Sequence, residues 1–393
     1  MNQAIESRIS RLEAVLLTTL FVILISLPVF KQWFIGEPNT EAIEGRPLNT
    51  RPELSFKRAL KDFPDDYEAY YNDHFGFRSA LLRVGGYIGV KYANVPLSPY
   101  VIIGKEGWLF LKSGQTEDNF RGGPVLSNAD LERWKRSLEH RQELLARRGV
   151  QFLFVIAPDK QTIYPEYLPD KYRRPNDLTP AQLLVSYLAA HSNVHVLSLL
   201  EPLMNAKVSG RLYFRNDTHW NTMGAYVGYR EIMERLHVWF PDLKPRDRSE
   251  FQTVDEYVKG DLARMIGMPG YSAESEPDLK QLVPTKTSST PFQLAGADLD
   301  PMWNFTTQAA GIDNSRRLVI IHDSYTWRLE PFLSADVAQI TYLTRGKDDE
   351  KYEKVLGSAL EMEKPDVFIE ERVERYLLTP PPDEKIIFGG DIK

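Results

Sequence analysis

Cysteine is absent from the 393-residue sequence. Disulfide bonds, thiolate catalysis and cysteine-ligated zinc or iron–sulfur clusters are therefore excluded. The sequence also lacks a basic block: its formal net charge is −6 with both signs interspersed, so nucleic acid is not expected as a partner. It has no H-E-x-x-H motif and no glycine-rich nucleotide-binding loop, so we expect neither a metal nor another cofactor. The hydrophobic fraction of 42% is nevertheless enough for a sizeable core.

One long uncharged run stands near the N-terminus, from Ala14 to Phe30, and it ends at Lys31. Its length is at the short end of what spans a bilayer, about 17–25 residues. No small-x-small cleavage site follows it, which favours an uncleaved signal anchor over a removed signal peptide. We predict a cytoplasmic tip and signal-anchor helix over residues 1–35, with the rest of the chain outside the cytoplasm. The alternative is a buried core helix.

The remainder divides by pattern into two further segments. Residues 36–98 combine a polar, proline-containing linker with an aromatic-rich helical pre-domain, and residues 99–393 alternate strand and helix patterns. Continuous apolar runs such as QFLFVIAP, beginning at Gln151, are typical of buried parallel strands. The alternation predicts an α/β domain with a mostly parallel sheet flanked by helices. Residues 270–301 are rich in Pro, Ser, Thr, Gly and Asp, and we expect a mobile lid or a peripheral excursion there.

The first candidate for chemistry is the segment YFRNDTHWN. Asp217 and His219 are two residues apart, so on an extended segment both side chains project from the same face. A carboxylate beside an imidazole selects its tautomer and stabilises the imidazolium, as a general base requires. Trp220 would wall such a site. The alternative is a surface aspartate beside a structurally hydrogen-bonded histidine.

The second candidate is Ser324, which follows the apolar run LVIIH on a turn toward a predicted helix. Ligands of open α/β sheets bind beyond the carboxyl ends of the strands, where turn N–H groups are free to stabilise an oxyanion. The alternative is that Asp323 or Ser324 only caps the next helix. Together the two segments supply base, orienting carboxylate and nucleophile for serine acyl transfer. A metal site of His219, His322 and Asp217 is less favoured, because no metal-binding motif accompanies it.

Several motifs in fixed order resemble the alginate O-acetyltransferase AlgJ/AlgX family of SGNH-hydrolase-like proteins. The resemblance covers about residues 63–377 and rests on GKEGWLFL, VIAPDKQTIYPEYLP, YFRNDTHWN, GDLARMIGM, IIHDSY and DVFIEERVERYL. It implies a catalytic triad of Asp217, His219 and Ser324, in a motif order circularly permuted relative to ordinary SGNH hydrolases. The resemblance also implies attack on an acetyl donor and transfer to a hydroxyl of an exported polysaccharide, alginate or another. The single anchor and the absence of a carbohydrate-binding module after Leu377 match the AlgJ branch better than the AlgX branch.

Further residues are candidates for supporting roles. Arg345, which follows the strand pattern VAQITYL, would stabilise an oxyanion or bind substrate, and Tyr325 would line the pocket beside Ser324. Asp159 and Lys160 follow the first buried strand and would lie at the same sheet edge, or only cap a turn. A charged cluster near the C-terminus is interpreted as structural ion pairing; it comprises Glu370, Glu371, Arg372 and Arg375.

The resemblance implies partners and a location. We expect a polysaccharide acceptor, a multispanning membrane O-acyltransferase as acetyl donor, and a single-pass anchor in the bacterial inner membrane with the catalytic domain in the periplasm. Two rival functions stay open. In one, water resolves the same intermediate and the chain is a carbohydrate acetylesterase. In the other, the chain is a non-catalytic subunit of a polysaccharide export assembly.

Overall fold

The computed structural model describes residues 2–36, 48–53, 62–112, 126–172, 178–272, 275–345 and 349–381, so most of the predicted linker lies outside the described residues. The helices are α1 (Asn2–Phe34), α2 (Phe63–His74), α3 (Arg78–Ile88), α4 (Asn128–Ala146), α5 (Lys160–Ile163), α6 (Pro180–His191), α7 (Leu200–Ala206), α8 (Thr222–Trp239), α9 (Asp261–Met265), α10 (Thr326–Asp336) and α11 (Asp349–Glu363). The strands are β1 (Val101–Ile103), β2 (Leu109–Leu111), β3 (Gln151–Ala157), β4 (Val196–Ser198), β5 (Phe251–Tyr257), β6 (Ser275–Gln281), β7 (Lys286–Pro291), β8 (Phe305–Ala310), β9 (Arg317–His322), β10 (Gln339–Thr344) and β11 (Val367–Val373).

The chain divides into two compact units, and the first comprises Met1–Ile103 with Asp261–Tyr271. Within it, Glu13–Phe34 of α1 is long and apolar enough to cross a membrane, and none of that window is buried against protein. The turn between α2 and α3 packs on this helix, because a Cβ at Gly76 would lie 2.1 Å from the Pro28 carbonyl oxygen. Glycine is therefore required at that position. Lys31 Nζ lies 5.0 Å from the centre of the Phe77 ring on the same turn.

The second unit, Gly104–Gly260 with Ser272–Lys393, is built on a seven-stranded sheet in the order β4-β3-β11-β9-β10-β8-β7. The strands β4, β3, β11, β9 and β10 pair in parallel, whereas β8 and β7 pair antiparallel. The expectation of a mostly parallel sheet was wrong, and the sheet is mixed. The two antiparallel strands escaped prediction because their sequences, KTSSTP and FTTQAA, are polar or short-chained and lack the apolar run of a buried strand.

The segment 270–301 is part of the sheet architecture. Its strand β6 pairs antiparallel with β5, and its strand β7 extends the central sheet as an edge strand on β8. The expectation of a lid or peripheral excursion was therefore wrong for its strands. Every residue of β7 is exposed, which suits an edge strand but removes the hydrophobic alternation from which a strand is predicted.

One face of the sheet is covered by α4, α6 and α11. Helix α4 begins with a capping box, in which the Ser127 side chain accepts from the Asp130 N–H, and this cap starts the helix where its apolar spacing begins. Trp134 of α4 packs on Phe154 of β3 and donates its indole N–H to the Leu377 carbonyl at 2.9 Å. Truncating such a buried tryptophan costs about 3–5 kcal/mol. The core that α4, α6 and α11 share with the sheet includes Leu131, Leu138, Leu184, Leu188, Leu356, Leu360, Phe152, Val319, Ile321 and Phe368.

The opposite face carries α10. Ser334 of this helix lies 2.9 Å from the Thr307 hydroxyl of β8 and 3.0 Å from the Tyr342 hydroxyl of β10. Tyr342 alternates along β10 with Leu343, which belongs to the core under α4, so the two side chains point to opposite faces. Helices on both faces agree with the predicted α/β layering.

The parallel strands end at one edge, called the carboxyl edge below. The register places His322 of β9 opposite Thr344 of β10, and Ala157 of β3 opposite Val373 of β11. Because parallel strands deliver their following residues to the same edge, the turns after β3, β9, β10 and β11 meet there.

Candidate active site

The segment 212–221, called the Asp217 loop below, is a tight reversal of the chain before α8. Tyr213 and Trp220 form an antiparallel bridge across it, and the Asn221 N–H donates to the Leu212 carbonyl at 2.9 Å. The Asn221 side chain then caps α8 by accepting from the Gly224 N–H at 3.0 Å. The reversal therefore presents Asp217 and His219 from a backbone held at both of its ends.

Asp217 orients His219 through one oxygen. Asp217 Oδ1 accepts from the His219 backbone N–H at 3.0 Å and lies 2.7 Å from His219 Nδ1. Because a carboxylate only accepts, the neutral ring carries its proton on Nδ1. The other ring nitrogen, Nε2, is then an acceptor, and it lies 2.8 Å from Ser324 Oγ. The three residues singled out from the sequence are thus joined in one hydrogen-bonded chain across 105 positions.

Ser324 lies on the turn of residues 323–325, the Ser324 turn, between β9 and α10. Asp323 fastens this turn: its Oδ1 accepts from the Tyr325 N–H at 2.9 Å and its Oδ2 accepts from the Val373 N–H at 2.7 Å. The Asp323 N–H in turn donates to Glu371 Oε2 at 3.1 Å. The turn is consequently tied to β11 by both the backbone and the side chain of Asp323, which holds the serine hydroxyl in place.

Trp220 and Tyr325, predicted to contact substrate, are instead fully buried, with 0% of each exposed. The Trp220 indole N–H donates to the Tyr325 carbonyl at 3.0 Å, and the Tyr325 hydroxyl donates to the Thr218 carbonyl at 3.1 Å. The Tyr325 ring also lies 5.2 Å from the His219 ring. Side chains without exposed surface do not reach a polysaccharide, so the pair joins the Asp217 loop to the Ser324 turn.

Arg345 follows β10 directly and is partly buried. Since Thr344 pairs with His322 in the parallel register, Arg345 continues at the level of Asp323, one position from Ser324. The structure therefore places Arg345 at the carboxyl edge beside the Ser324 turn. Its predicted role toward an oxyanion or substrate stays a prediction.

Lys160 has a role that the sequence interpretation left undecided. Its side chain is buried, 1% exposed, and Nζ donates to the carbonyls of Phe214, Arg215 and Asp217 at 3.1, 3.3 and 2.5 Å. One buried cation thus gathers three carbonyls of the Asp217 loop. The sequence signal was its position immediately after the first buried strand, but the three acceptors lie more than 50 residues away.

Further charged groups lie buried behind the triad. Arg375 forms an ion pair with Asp159, and its guanidinium lies 5.3 Å from the centre of the Tyr325 ring. Burial, reinforced by the nearby charge of Asp323, raises the pKa of Glu371 well above its usual value. The predicted ion pairing of the C-terminal cluster holds for Arg372 with Glu370. Glu371 is different, since it accepts from the Ser324 turn.

His322 lies outside the triad. Its Nδ1 lies 2.9 Å from the Asp323 carbonyl oxygen and its Nε2 lies 3.0 Å from the Trp303 carbonyl oxygen. Burial lowers the pKa of His322, which favours a neutral ring that donates to one carbonyl at a time. The ring therefore links the Ser324 turn to the segment of Trp303. Both ring nitrogens of His219 are directed to Asp217 and Ser324.

A serine at the carboxyl edge of the sheet, a histidine and an aspartate in hydrogen-bond contact define the class of Ser–His–Asp acyl-transfer sites on an α/β sheet. The family described as "ALGX: SGNH hydrolase-like domain, acetyltransferase AlgX" matches residues 101–374. The chain belongs to this family, and the resemblance and the SGNH-like fold expected from the sequence are confirmed.

Curated relatives agree with this assignment. The probable alginate O-acetylase AlgJ of Pseudomonas aeruginosa is 28% identical over 294 residues, 71% of each chain. The protein of that name from Azotobacter vinelandii is 31% identical over 291 residues, 67% of this chain and 70% of its own. Among solved structures, Bacillus cereus PatB1 with a sulfonyl adduct is 14% identical, with a TM-score of 0.51 over 72% of this chain and 100% of PatB1. The last likeness concerns the fold alone.

Proposed function

We propose that this chain is a polysaccharide O-acetyltransferase that works through an acetyl-enzyme on Ser324. The single observation that carries the proposal is the chain of hydrogen bonds from Asp217 through His219 to Ser324, with 2.7 and 2.8 Å between the heavy atoms. Membership of an acetyltransferase family and relatives named alginate O-acetylases support the acyl group and the class of acceptor.

In the first half-reaction, His219 Nε2 takes the Ser324 hydroxyl proton as Oγ attacks the acetyl carbonyl carbon. Asp217 stabilises the imidazolium through Nδ1, 2.7 Å away. The tetrahedral intermediate then breaks its bond to the donor, whose leaving heteroatom takes the proton from Nε2. The acetyl group stays on Oγ as an ester.

The developing oxyanion requires donors near Ser324 Oγ. Within the part of the chain that the structure describes, the Ser324 backbone N–H has no hydrogen-bond acceptor, whereas the N–H groups of Asp323 and Tyr325 are both engaged. The Ser324 N–H is therefore our first candidate donor. Arg345, at the same level of the carboxyl edge, is the candidate for a second, charged donor.

In the second half-reaction, a sugar hydroxyl attacks the acetyl-enzyme. His219 Nε2 takes the hydroxyl proton, and the collapse of the intermediate returns a proton from Nε2 to Ser324 Oγ. The acetyl ester is now on the sugar and the enzyme is restored. An acetylesterase differs only in that water takes the place of the sugar hydroxyl.

We also propose that α1 is a single-pass signal anchor in the bacterial inner membrane, with the second unit in the periplasm. The support is the window Glu13–Phe34, which is long and apolar enough to span a bilayer and has no buried residue. Acetyl-CoA is confined to the cytoplasm, and the sequence has no glycine-rich nucleotide-binding loop. The acetyl donor would accordingly be a multispanning membrane O-acyltransferase.

The test uses the full chain in detergent with a chromogenic acetyl ester as surrogate donor. We expect a burst of product and a peptide containing Ser324 that gains one acetyl mass. Ser324→Ala should abolish both, whereas Ser209→Ala, at an exposed serine, should change neither.

Adding neutral or acidic oligosaccharides to the acetyl-enzyme then separates transfer from hydrolysis. Acetyl esters on sugar would support the transferase. Rapid release to water that no oligosaccharide intercepts would favour the esterase instead, and the absence of any acetyl-enzyme would contradict both.

A further inference from the structure

A cavity of about 370 Å³ is lined by the two residues that flank the Ser324 turn, and no residue of the triad lines it. Its walls include His322 and Thr326, which are two residues before and two residues after Ser324. Consecutive Cα atoms are about 3.8 Å apart, so the Cα atoms of His322 and Thr326 each lie within about 8 Å of the Ser324 Cα atom. The cavity is therefore close enough to position a group that reacts at Ser324 Oγ.

Aromatic side chains dominate the cavity. Trp303, Trp327 and Phe305 line it together with Met302, and the two indole rings meet edge to face with centroids 5.8 Å apart. Trp327 is 58% exposed and Met302 is 61% exposed. Exposed aromatic faces that are fixed by neighbouring rings suit the apolar C–H faces of a pyranose ring, with hydroxyl groups directed to polar walls.

Charge is scarce in the cavity walls. Among the residues that the structure describes, no lysine or arginine lines it, and Glu330 is the one carboxyl group. Burial raises the pKa of Glu330, which favours its uncharged form. A sugar carboxylate placed here would meet no cation and would be next to an acidic side chain.

The neighbouring cavity of about 280 Å³, which shares Trp327 as a wall, does not alter this balance. Its cations are already paired: Lys280 Nζ lies 2.6 Å from Asp278, and Arg328 Nη1 lies 2.9 Å from Glu256. An acceptor chain that passes Trp327 from one cavity to the other would encounter balanced charge on both sides.

We propose that the cavity lined by Trp303 and Trp327 is the acceptor subsite and that it takes a neutral pyranose residue in preference to a uronate. This inference rests on the proposed acetyltransferase function and narrows its substrate class. Alginate, in the names of the relatives, is a polyuronate with a carboxylate on every sugar. The cavity instead fits a polysaccharide whose acetylated residues are uncharged, because a desolvated carboxylate without a cation is unfavourable.

The test measures binding without turnover, with the full-length Ser324→Ala protein in detergent. Isothermal titration with a β-1,4-glucan hexamer and a β-1,4-mannuronate hexamer should show the glucan binding at least about tenfold more tightly. Trp327→Ala in that background should weaken glucan binding by about tenfold or more, as loss of a stacking face predicts. Tyr257→Ala, at a 62% exposed aromatic on β5, is the matched control and should have no effect.

A second variant tests the charge argument independently. Met302→Lys, at an exposed position, should leave thermal unfolding unchanged and improve mannuronate binding by about tenfold. Tighter binding of mannuronate than of glucan by the Ser324→Ala protein would overturn the proposal, as would binding of neither. Glucan binding unaffected by Trp327→Ala would also overturn it. These results are separable from the proposed function, because acetyl-enzyme formation is measured with the surrogate ester and no sugar.

Discussion

The N-terminal helix α1 and the carboxyl edge of the central sheet depart from ordinary side-chain placement in opposite directions. In α1, large apolar side chains such as Leu17, Phe21 and Phe30 are about two-thirds exposed. At the carboxyl edge, ionisable side chains such as Lys160 and Glu371 are almost completely buried. Apolar surface is normally inside a protein and charge is normally outside.

Exposed apolar surface and buried ionisable side chains are both unfavourable unless something compensates for them, and the compensating contact differs between the two regions. Exposed apolar surface on the scale of α1 is stable where lipid covers it. Buried charge is tolerated where hydrogen bonds and opposite charges replace water. At the carboxyl edge those partners are the backbone of the Asp217 loop for Lys160 and of the Ser324 turn for Glu371. The comparison teaches that the exposed apolar side chains of α1 suit an apolar environment outside the protein, whereas the buried Lys160 and Glu371 hold the Asp217 loop and the Ser324 turn in place.

Apart from removal of the nucleophile itself, the largest expected effect on acetyl-enzyme formation comes from Asp217→Ala. Without the carboxylate, His219 loses the acceptor at Nδ1 that fixes its tautomer and stabilises the imidazolium. The acylation rate with the surrogate ester should fall on the order of 10⁴-fold, with residual activity. Stopped-flow measurement of the burst tests this, and an unchanged burst rate would remove Asp217 from the triad.

A smaller but still large effect is expected for Lys160→Met, which keeps an unbranched side chain one atom shorter and removes its charge. Three carbonyls of the Asp217 loop lose their common donor, so His219 should shift relative to Ser324. We expect a loss of acylation rate of about 10²-fold, the cost of misplacement by about 1 Å.

The matched control for this variant is Lys171→Met, at an exposed lysine. Thermal unfolding of both proteins, read beside the rate, separates loss of positioning from loss of fold. Lys160→Met at the parent rate would show that the buried cation does not position the loop.

A modest effect, on stability and not on rate, is expected for Glu371→Gln. Burial raises the pKa of Glu371, so the folded state retains this proton at pH values where the unfolded carboxyl, with a pKa of about 4.3, has lost it. The stabilisation is complete below the unfolded pKa and is lost as pH rises through the folded pKa. The uncharged amide avoids this loss. The parent protein should therefore lose thermal stability more steeply than Glu371→Gln as the pH rises above the unfolded pKa, and parallel profiles would contradict the assignment.

The smallest effect on chemistry is expected from deletion of residues 2–35. The full chain should fractionate with membranes and the truncated chain should not, while the acylation rate with a soluble ester changes less than about twofold, since α1 supplies no group to the triad. Membrane flotation followed by the burst assay makes both measurements. A truncated chain that still floats would show that α1 is not the anchor.

The patterns with strong local causes were predicted correctly. β3 and β9 contain continuous apolar runs, and β10 and β11 contain shorter, largely apolar stretches at residues 340–343 and 367–369; buried parallel strands require apolar residues whatever surrounds them. The antiparallel strands β7 and β8 were missed: the exposed edge position of β7 imposes no hydrophobic pattern on its residues, and β8, with the sequence FTTQAA, has no apolar run.

In the candidate site, too, some features could be predicted from the sequence and others could not. Asp217, His219 and Ser324 were identified because few residue types combine as carboxylate, imidazole and hydroxyl near the ends of strands. Trp220 and Tyr325 were correctly associated with the site but were expected to face substrate. Their orientation depends on which side of each loop packs against the other, and sequence spacing does not contain that information.

The sequence by itself determined the chemical groups, their order along the chain and the apolar runs of α1 and the central strands, because each follows from residue type and short-range periodicity. Only the tertiary structure decided that Lys160 donates to the Asp217 loop and that Glu371 accepts from the Ser324 turn. It also decided that Trp327, and not Trp220, is the exposed aromatic beside Ser324. Such contacts join residues far apart in the chain, and the parallel register that brings their strands to one edge is a property of the whole sheet.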